Sequence, residues 1–144
     1  MSSCPKGGLL SGTDKPDKLA GMDGDDKIRG LGDQDVIDGG PGNDEVIGDR
    51  GNDVLLGGPA SDVLYGGPGA DQLAGACQTG ACHQGHNEDV LYGVLYGGDG
   101  NDQIDALDGQ RDELYCGGGW DRYMNDAIDY VDSSCEKKGL PPVA

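Results

Sequence analysis

The sequence lacks most of the side chains from which a globular core is built. It has no Phe and one Trp, aromatic residues make up 5% of the chain, and apolar residues make up 35%. No apolar run approaches the length that spans a membrane. With 29 glycines to order, so little bulky side chain cannot offset the lost backbone entropy by burial. An ordinary close-packed core is therefore excluded.

Basic residues and an apolar leader are also scarce. Ten Lys and Arg stand against 27 Asp and Glu, which gives a formal net charge of −17. Such a chain repels nucleic acid and anionic lipid, so we expect neither as a partner. The opening MSSCPKGG has no apolar segment, and we expect a mature or engineered form whose signal peptide is missing. Low hydrophobicity with high charge would by itself predict disorder.

What the chain has is a fixed nine-residue period of glycine and aspartate. Glycine recurs at every ninth residue from Gly12 to Gly75. An aspartate stands five residues after each of the first seven of these glycines: Asp17, Asp26, Asp35, Asp44, Asp53, Asp62 and Asp71. An apolar residue follows two residues later: Leu19, Ile28, Ile37, Val46, Leu55, Leu64 and Leu73. The next unit has Gly80 in place of Asp, Asp89 resumes the count, and the chain is an array of nonapeptides.

The order of residues within a unit predicts its local structure. The first six residues favour a turn and the last three favour a strand, whose middle residue must face inward. We expect one domain with these parts: a lead-in over 1–11, regular repeats over 12–92 with a defective unit at 75–88, a bulging insertion at 93–96, looser repeats over 97–124, and a C-terminal cap and tail over 125–144. Trp120, Tyr123, Ile128, Tyr130 and Val131 are expected to cover the open end.

Two units match a known repeat position by position. GGPGNDEVI (39–47) and GGDGNDQID (97–105) have the pattern GGxGxDxUx, so the array resembles the RTX (haemolysin-type) calcium-binding proteins over nearly the whole chain. CGGGWDRYM (116–124), followed by a late Cys-Glu, is similar to cysteine-containing repeat proteins of actinobacteria. The resemblance implies an all-β fold, a right-handed parallel β-roll (solenoid) in which two units form one coil, with an irregular C-terminal cap.

Two units per coil place the aspartates on two edges of such a roll. One edge would carry Asp17, Asp35, Asp53, Asp71 and Asp89, and the other Asp26, Asp44 and Asp62. Carboxylates in coils about 4.8 Å apart repel by about 3–4 kcal/mol at an effective dielectric of about 20. A Ca²⁺ between each stacked pair would turn this repulsion into a bridge, so binding would drive folding. We expect roughly six to eight such ions.

The predicted metal ligands follow from position and from the resemblance. The aspartates of the regular repeats are predicted ligands, and the looser repeats add three more: Asp102, Asp112 and Asp121. In the family the ions are also held by backbone carbonyls of early turn residues, which carry over to Gly39, Gly40, Gly42, Gly66, Gly67 and Gly69. The alternative is that the aspartates are only turn residues. Turn chemistry alone, however, does not demand a nine-residue spacing.

The five cysteines favour an oxidising compartment. The simplest pairing is Cys77–Cys82 and Cys116–Cys135, which leaves Cys4 over. An alternative is a zinc ion held by four side chains of the irregular unit: Cys77, Cys82, His83 and His86.

The predicted function is calcium binding by a secreted or cell-surface module. The sequence has no nucleophile elbow, no HExxH and no Ser/His/Asp set, so we expect no enzyme activity. Two alternatives remain. The outer strand faces, with Val54, Leu56, Tyr65 and Tyr92, could serve adhesion or ice binding. The chain could also be the non-catalytic RTX tail of a secreted enzyme. Calcium ions are the only partners that the sequence identifies.

Overall fold

In the computed structural model, residues 2–3, 7–74, 94–106, 111–125 and 129–135 are described. All of their regular structure is β-strand, arranged in two parallel sheets. The odd sheet consists of β1 (Ser2–Ser3), β3 (Lys18–Ala20), β5 (Val36–Asp38), β7 (Val54–Leu56), β9 (Gln72–Ala74), β11 (Gln103–Ala106) and β13 (Arg122–Asn125). The even sheet consists of β2 (Leu9–Ser11), β4 (Lys27–Gly32), β6 (Glu45–Arg50), β8 (Val63–Tyr65), β10 (Val94–Asp99), β12 (Glu113–Gly118) and β14 (Tyr130–Val131). The predicted parallel β-roll is confirmed.

The core is a stack of single apolar residues from the middle of each short strand. In β5, for example, Ile37 is fully buried while Val36 and Asp38 are exposed, as the two-residue period of a strand requires. Leu19, Ile37, Leu55 and Leu73 pair in register across the odd sheet. Each buried side chain of this kind contributes about 1.5–3 kcal/mol. The inward eighth position is therefore confirmed in the regular repeats.

From residue 30 to residue 74, the turns hold two residues per unit in the left-handed region of backbone space. In unit 39–47 these are Gly40, with φ of 94°, and Gly42, with φ of 141°. Leu31 and Ala60 occupy the same second and fourth positions in their units and have φ of 89° and 101°. Side chains with a Cβ disfavour this region. The repeat thus imposes its turn geometry even where glycine is absent.

After Asp71, the sequence separation between stacked aspartates changes from 18 to 31 residues, and the register expected there is wrong. We expected Asp89 above Asp71 and a bulge at 93–96. Instead Val94–Tyr96 pairs with Val63–Tyr65, and the Asp71 amide donates to Asp102, 31 residues away instead of 18. VLYG occurs twice in succession, and only the second copy runs without interruption into the complete unit 97–105. Placing all extra residues in one connection costs little, because loop-closure entropy grows slowly with length.

The C-terminal end continues the roll further than the sequence predicted. Strand β14 pairs with β12 as a further strand of the even sheet, and a disulfide joins Cys116 to Cys135 as expected. Tyr123 and Val131 pack against the core. Trp120 and Tyr130 are 64% and 48% exposed, and that they cover the open end stays a prediction.

Several predictions concern residues outside the described ranges. They are the defective unit at 75–88 with Cys77, Cys82, His83 and His86, the roles of Asp89 and Tyr92, the fate of Cys4, the cap residue Ile128 and the tail after residue 135. The remaining domain boundaries stay predictions. No helix in the described part of the chain is long and apolar enough to cross a membrane.

Replacing Ala60 by glycine should stabilise the roll. Ala60→Gly removes a Cβ from a left-handed residue, and we expect a gain of about 1 kcal/mol. Ala70 is the matched control, because it lies in a turn without positive φ and its amide bonds to Asn52 at 2.9 Å in a way that glycine retains. Ala70→Gly should lower stability slightly. Thermal unfolding in calcium-containing buffer measures both, and equal shifts would contradict the assigned backbone strain.

Candidate metal sites along the turns

The aspartate of each unit lies inside the turn and not on its surface. It stands two residues before the core residue and therefore faces inward as well. The aspartates with at most 3% exposure are Asp26, Asp35, Asp44, Asp53, Asp62, Asp71, Asp102, Asp112 and Asp121. Asp17, in the first regular unit, is half-buried. Carboxylates are almost never buried to this extent without a partner.

Hydrogen bonds join these aspartates from coil to coil. In eight pairs, the Oδ1 oxygen of one aspartate accepts the backbone N–H of the aspartate one coil earlier, at 2.8–3.0 Å. We call each such pair a rung. The first edge has the rungs 17–35, 35–53, 53–71, 71–102 and 102–121. The second edge has, within the described residues, the rungs 26–44, 44–62 and 112–129.

The other carboxylate oxygen, Oδ2, lacks a hydrogen-bond partner in several of these aspartates. At the N-terminal end it is satisfied, since Asp17 Oδ2 accepts from the Thr13 amide at 2.6 Å and Asp26 Oδ2 accepts from the Met22 amide at 3.0 Å. Further along the stack, Oδ2 is buried without a hydrogen-bond partner in the described structure at Asp35, Asp44, Asp53, Asp62, Asp71 and Asp102. A buried, unsatisfied, charged oxygen is strongly unfavourable. A cation at each turn would satisfy it.

Burial raises the pKa of these carboxyls, because a charged group loses its hydration there. The pKa is raised to about 8 for Asp62 and to about 7 for Asp71. Asp44, Asp53 and Asp102 reach a pKa of about 6. We call the stacked aspartates that the rungs connect the ladder. The backbone hydrogen bond within each rung lowers the pKa of the carboxyl, and the neighbouring carboxylate in the ladder raises it further. Without a cation, the ladder therefore accommodates negative charge poorly.

The glycines predicted as ligands have two distinct structural roles. A Cβ on Gly39 would lie 2.6 Å from Asp44 Oδ2, and one on Gly66 would lie 2.5 Å from Asp71 Oδ2. The first glycine of a unit is therefore needed so that the carboxylate can fit beside the backbone. The second and fourth glycines, by contrast, supply left-handed turn residues: Gly40, Gly42, Gly67 and Gly69.

Backbone carbonyls complete the oxygen set that the turns offer. The Gly40 carbonyl oxygen faces the next coil, where a Cβ on Gly58 would lie 2.5 Å from it. The Gly67 and Gly69 carbonyls face Gly98 and Gly100 in the same way. No three acidic, His or Cys side chains converge on one point in the described ranges. A rung thus offers two carboxylates and takes its remaining oxygens from the backbone, which suits a hard cation such as Ca²⁺.

One aspartate of the ladder was missed from the sequence. Asp129 Oδ1 accepts the Asp112 amide at 3.0 Å, which places it on the second edge. The signal was present, because Asp129 and Val131 repeat the spacing of the ladder aspartate and the core residue. It was obscured by a step of 17 residues from Asp112.

One family model matches the chain, that of the RTX calcium-binding nonapeptide repeat. It matches in four copies, over residues 11–46, 47–76 and 94–111, which together are more than half of the chain. RTX nonapeptide repeats bind Ca²⁺. The matched ranges end before Asp121 and Asp129, although the rungs continue through both. No curated protein and no solved structure matches the chain significantly.

In metal-free buffer, acidification should favour the roll. Folded-state pKa values of about 6 to 8 lie above the ordinary aspartate value of about 4. Their contribution to stability is therefore full below pH 4 and is lost as the pH rises through 6 to 8. We expect more β signal in far-UV circular dichroism at pH 5 than at pH 8.

Salt provides the control for this pH effect. Salt at pH 8 screens repulsion between exposed charges but reaches buried groups poorly. It should recover only a small part of the signal gained at pH 5. If salt alone restored the whole signal, long-range repulsion and not the buried carboxylates would govern the metal-free chain.

Proposed function

The chain belongs to the family of RTX calcium-binding nonapeptide repeats, and we propose that it is a secreted or cell-surface module that folds when Ca²⁺ binds in its turns. One observation supports this most directly. Six buried aspartates each present a carboxylate oxygen that no described donor satisfies. They recur at the same position in successive coils, where the ligand preference of calcium predicts an ion.

Each rung would hold one ion between two coils. Asp35 and Asp53, for example, would contribute carboxylate oxygens, and early turn residues would contribute backbone carbonyls. If every rung holds one ion, the five rungs of the first edge and the three of the second would hold eight ions in the described residues. The count of stacked aspartate pairs in the sequence predicted roughly six to eight.

Binding and folding are coupled because the site does not exist in the unfolded chain. Without metal, the roll must bury adjacent carboxylates, and burial raises their pKa values because the charged form loses its hydration. Eight divalent ions would bring 16 positive charges to a chain of net charge −17. Calcium therefore removes the main electrostatic obstacle to stacking the coils. Sites of this kind suit the millimolar calcium found outside cells.

Far-UV circular dichroism in chelator, followed by titration, tests the proposal. We expect a cooperative gain of β signal with Ca²⁺ and little with Mg²⁺, because Mg²⁺ demands short octahedral bonds and gives up its water reluctantly. A full β signal already present in chelator at pH 8 would overturn calcium-driven folding. It would leave calcium as a ligand of a preformed roll.

A substitution in one rung should separate the contribution of the carboxylate to calcium binding from its effect on the stability of the metal-free roll. Asp53→Asn keeps an oxygen that can accept the Asp35 amide but removes the charge. We expect the calcium midpoint to rise roughly tenfold, about 1.4 kcal/mol, while the metal-free roll becomes more stable. Asp38→Asn makes the same change of net charge on an exposed strand residue. It should move the midpoint by no more than about twofold.

That the chain is not an enzyme remains a prediction from its sequence. The adhesive and ice-binding alternatives would use the outer strand faces. Loss of binding to a surface on substitution of Val54 or Tyr65, with calcium-dependent folding intact, would favour them.

A further inference from the structure

Three tyrosines form a stacked column on the outer face of the even sheet. Tyr65, Tyr96 and Tyr115 end the outward-facing part of β8, β10 and β12 and pair in register. The ring centroids of Tyr65 and Tyr96 are 4.8 Å apart with planes at 4°, and those of Tyr96 and Tyr115 are 4.9 Å apart with planes at 14°. The next ring, Tyr130, is tilted by 52° at 6.1 Å.

The three side chains of the column are each partly exposed, and stacking covers ring faces between neighbours. Tyr65 is 37% exposed, and Tyr96 and Tyr115 are half-buried. Because each ring covers the face of its neighbour, the column is a poor platform for stacking a sugar or another flat ligand. The Tyr115 hydroxyl donates to Glu113 Oε2 at 3.0 Å. That carboxylate is placed to take the phenolic proton if Tyr115 loses an electron.

We propose that this tyrosine column is a site of oxidative cross-linking, in which adjacent phenols are joined as dityrosine by a one-electron oxidant such as peroxide acting through a peroxidase. The closeness of the stacked tyrosine rings supports this proposal. Two phenoxyl radicals couple only if their rings meet, and the roll holds neighbouring rings in register at van der Waals distance. No other group has to be supplied by the protein.

The reaction balances without a bound cofactor. Each of two phenols loses one electron to the oxidant and one proton, giving two phenoxyl radicals. Their ortho carbons form a carbon–carbon bond, and the two ortho hydrogens move to the oxygens, which restores both phenols. The net change is the loss of two hydrogen atoms, and one hydrogen peroxide is reduced to two waters.

A link between Tyr65 and Tyr96 would have a particular effect on this fold. The two residues are 31 positions apart in the chain, and the connection 75–93 lies between them. A covalent bond there would close a long loop and restrict the unfolded chain, as a disulfide does. It would thereby fasten together the coils that precede and follow this connection.

Photo-oxidation with a ruthenium complex and persulfate tests the proposal on the whole chain. The calcium-loaded protein, shown to be folded by circular dichroism, is compared with protein denatured in guanidinium. Dityrosine fluorescence gives the yield, and mass spectrometry of peptides identifies the linked pairs. We expect roughly tenfold more Tyr65–Tyr96 and Tyr96–Tyr115 links in the folded protein.

Two variants make the test specific. Tyr96→Phe keeps the ring but removes the central phenol, so both expected links should disappear. Tyr123→Phe is the control, because Tyr123 packs against the core from the odd sheet and should not affect the links. Equal yields in folded and denatured protein, links mainly between other tyrosines, or links mainly between two chains would overturn the proposal. Since both arms are defined by their measured folding state, the outcome does not depend on calcium-driven folding.

Discussion

The placement of negative charge inside the turns is the constraint on which this fold depends. A residue two positions before an inward core residue must itself face inward, and in this chain that residue is aspartate in all but a few units. The apolar stack and the carboxylate ladder therefore both follow from the same strand geometry. The ladder places buried carboxylates beside a thin apolar stack, and burying such charges without compensation lowers the stability of a fold.

The glycines are explained by the same constraint. Gly39 and Gly66 lack a side chain because the carboxylates of Asp44 and Asp71 occupy the space where a Cβ would be. Gly40 and Gly42 adopt left-handed conformations that direct the turn around the carboxylate. A sequence rich in glycine and poor in aromatic residues is thus suited to a fold whose turns each enclose a carboxylate and whose core takes one apolar residue per unit.

The resemblance to RTX repeats implied the parallel roll with two units per coil. On that basis the nine-residue period predicted the core residues and the stacked aspartates from Asp17 to Asp71, since a strict spacing fixes both the facing and the register of each residue. It failed where the spacing changes. Beyond Asp71, the 18-residue spacing to Asp89 favoured the first copy of VLYG, whereas the sheet pairing uses the second copy, at Val94–Tyr96. Asp129 was missed because its step of 17 residues departs from the period. The steric role of Gly39 could not be found either, because it depends on where the Asp44 carboxylate lies.

The change of step between Asp71 and Asp102 also interrupts the regular length of the connections. Elsewhere three to six residues connect successive strands, as at 51–53 and 57–62. Residues 75–93 could span about 60–70 Å if extended. The coils that precede and follow this connection are held together by the pairing of β8 with β10 and of β9 with β11, and not by a short turn.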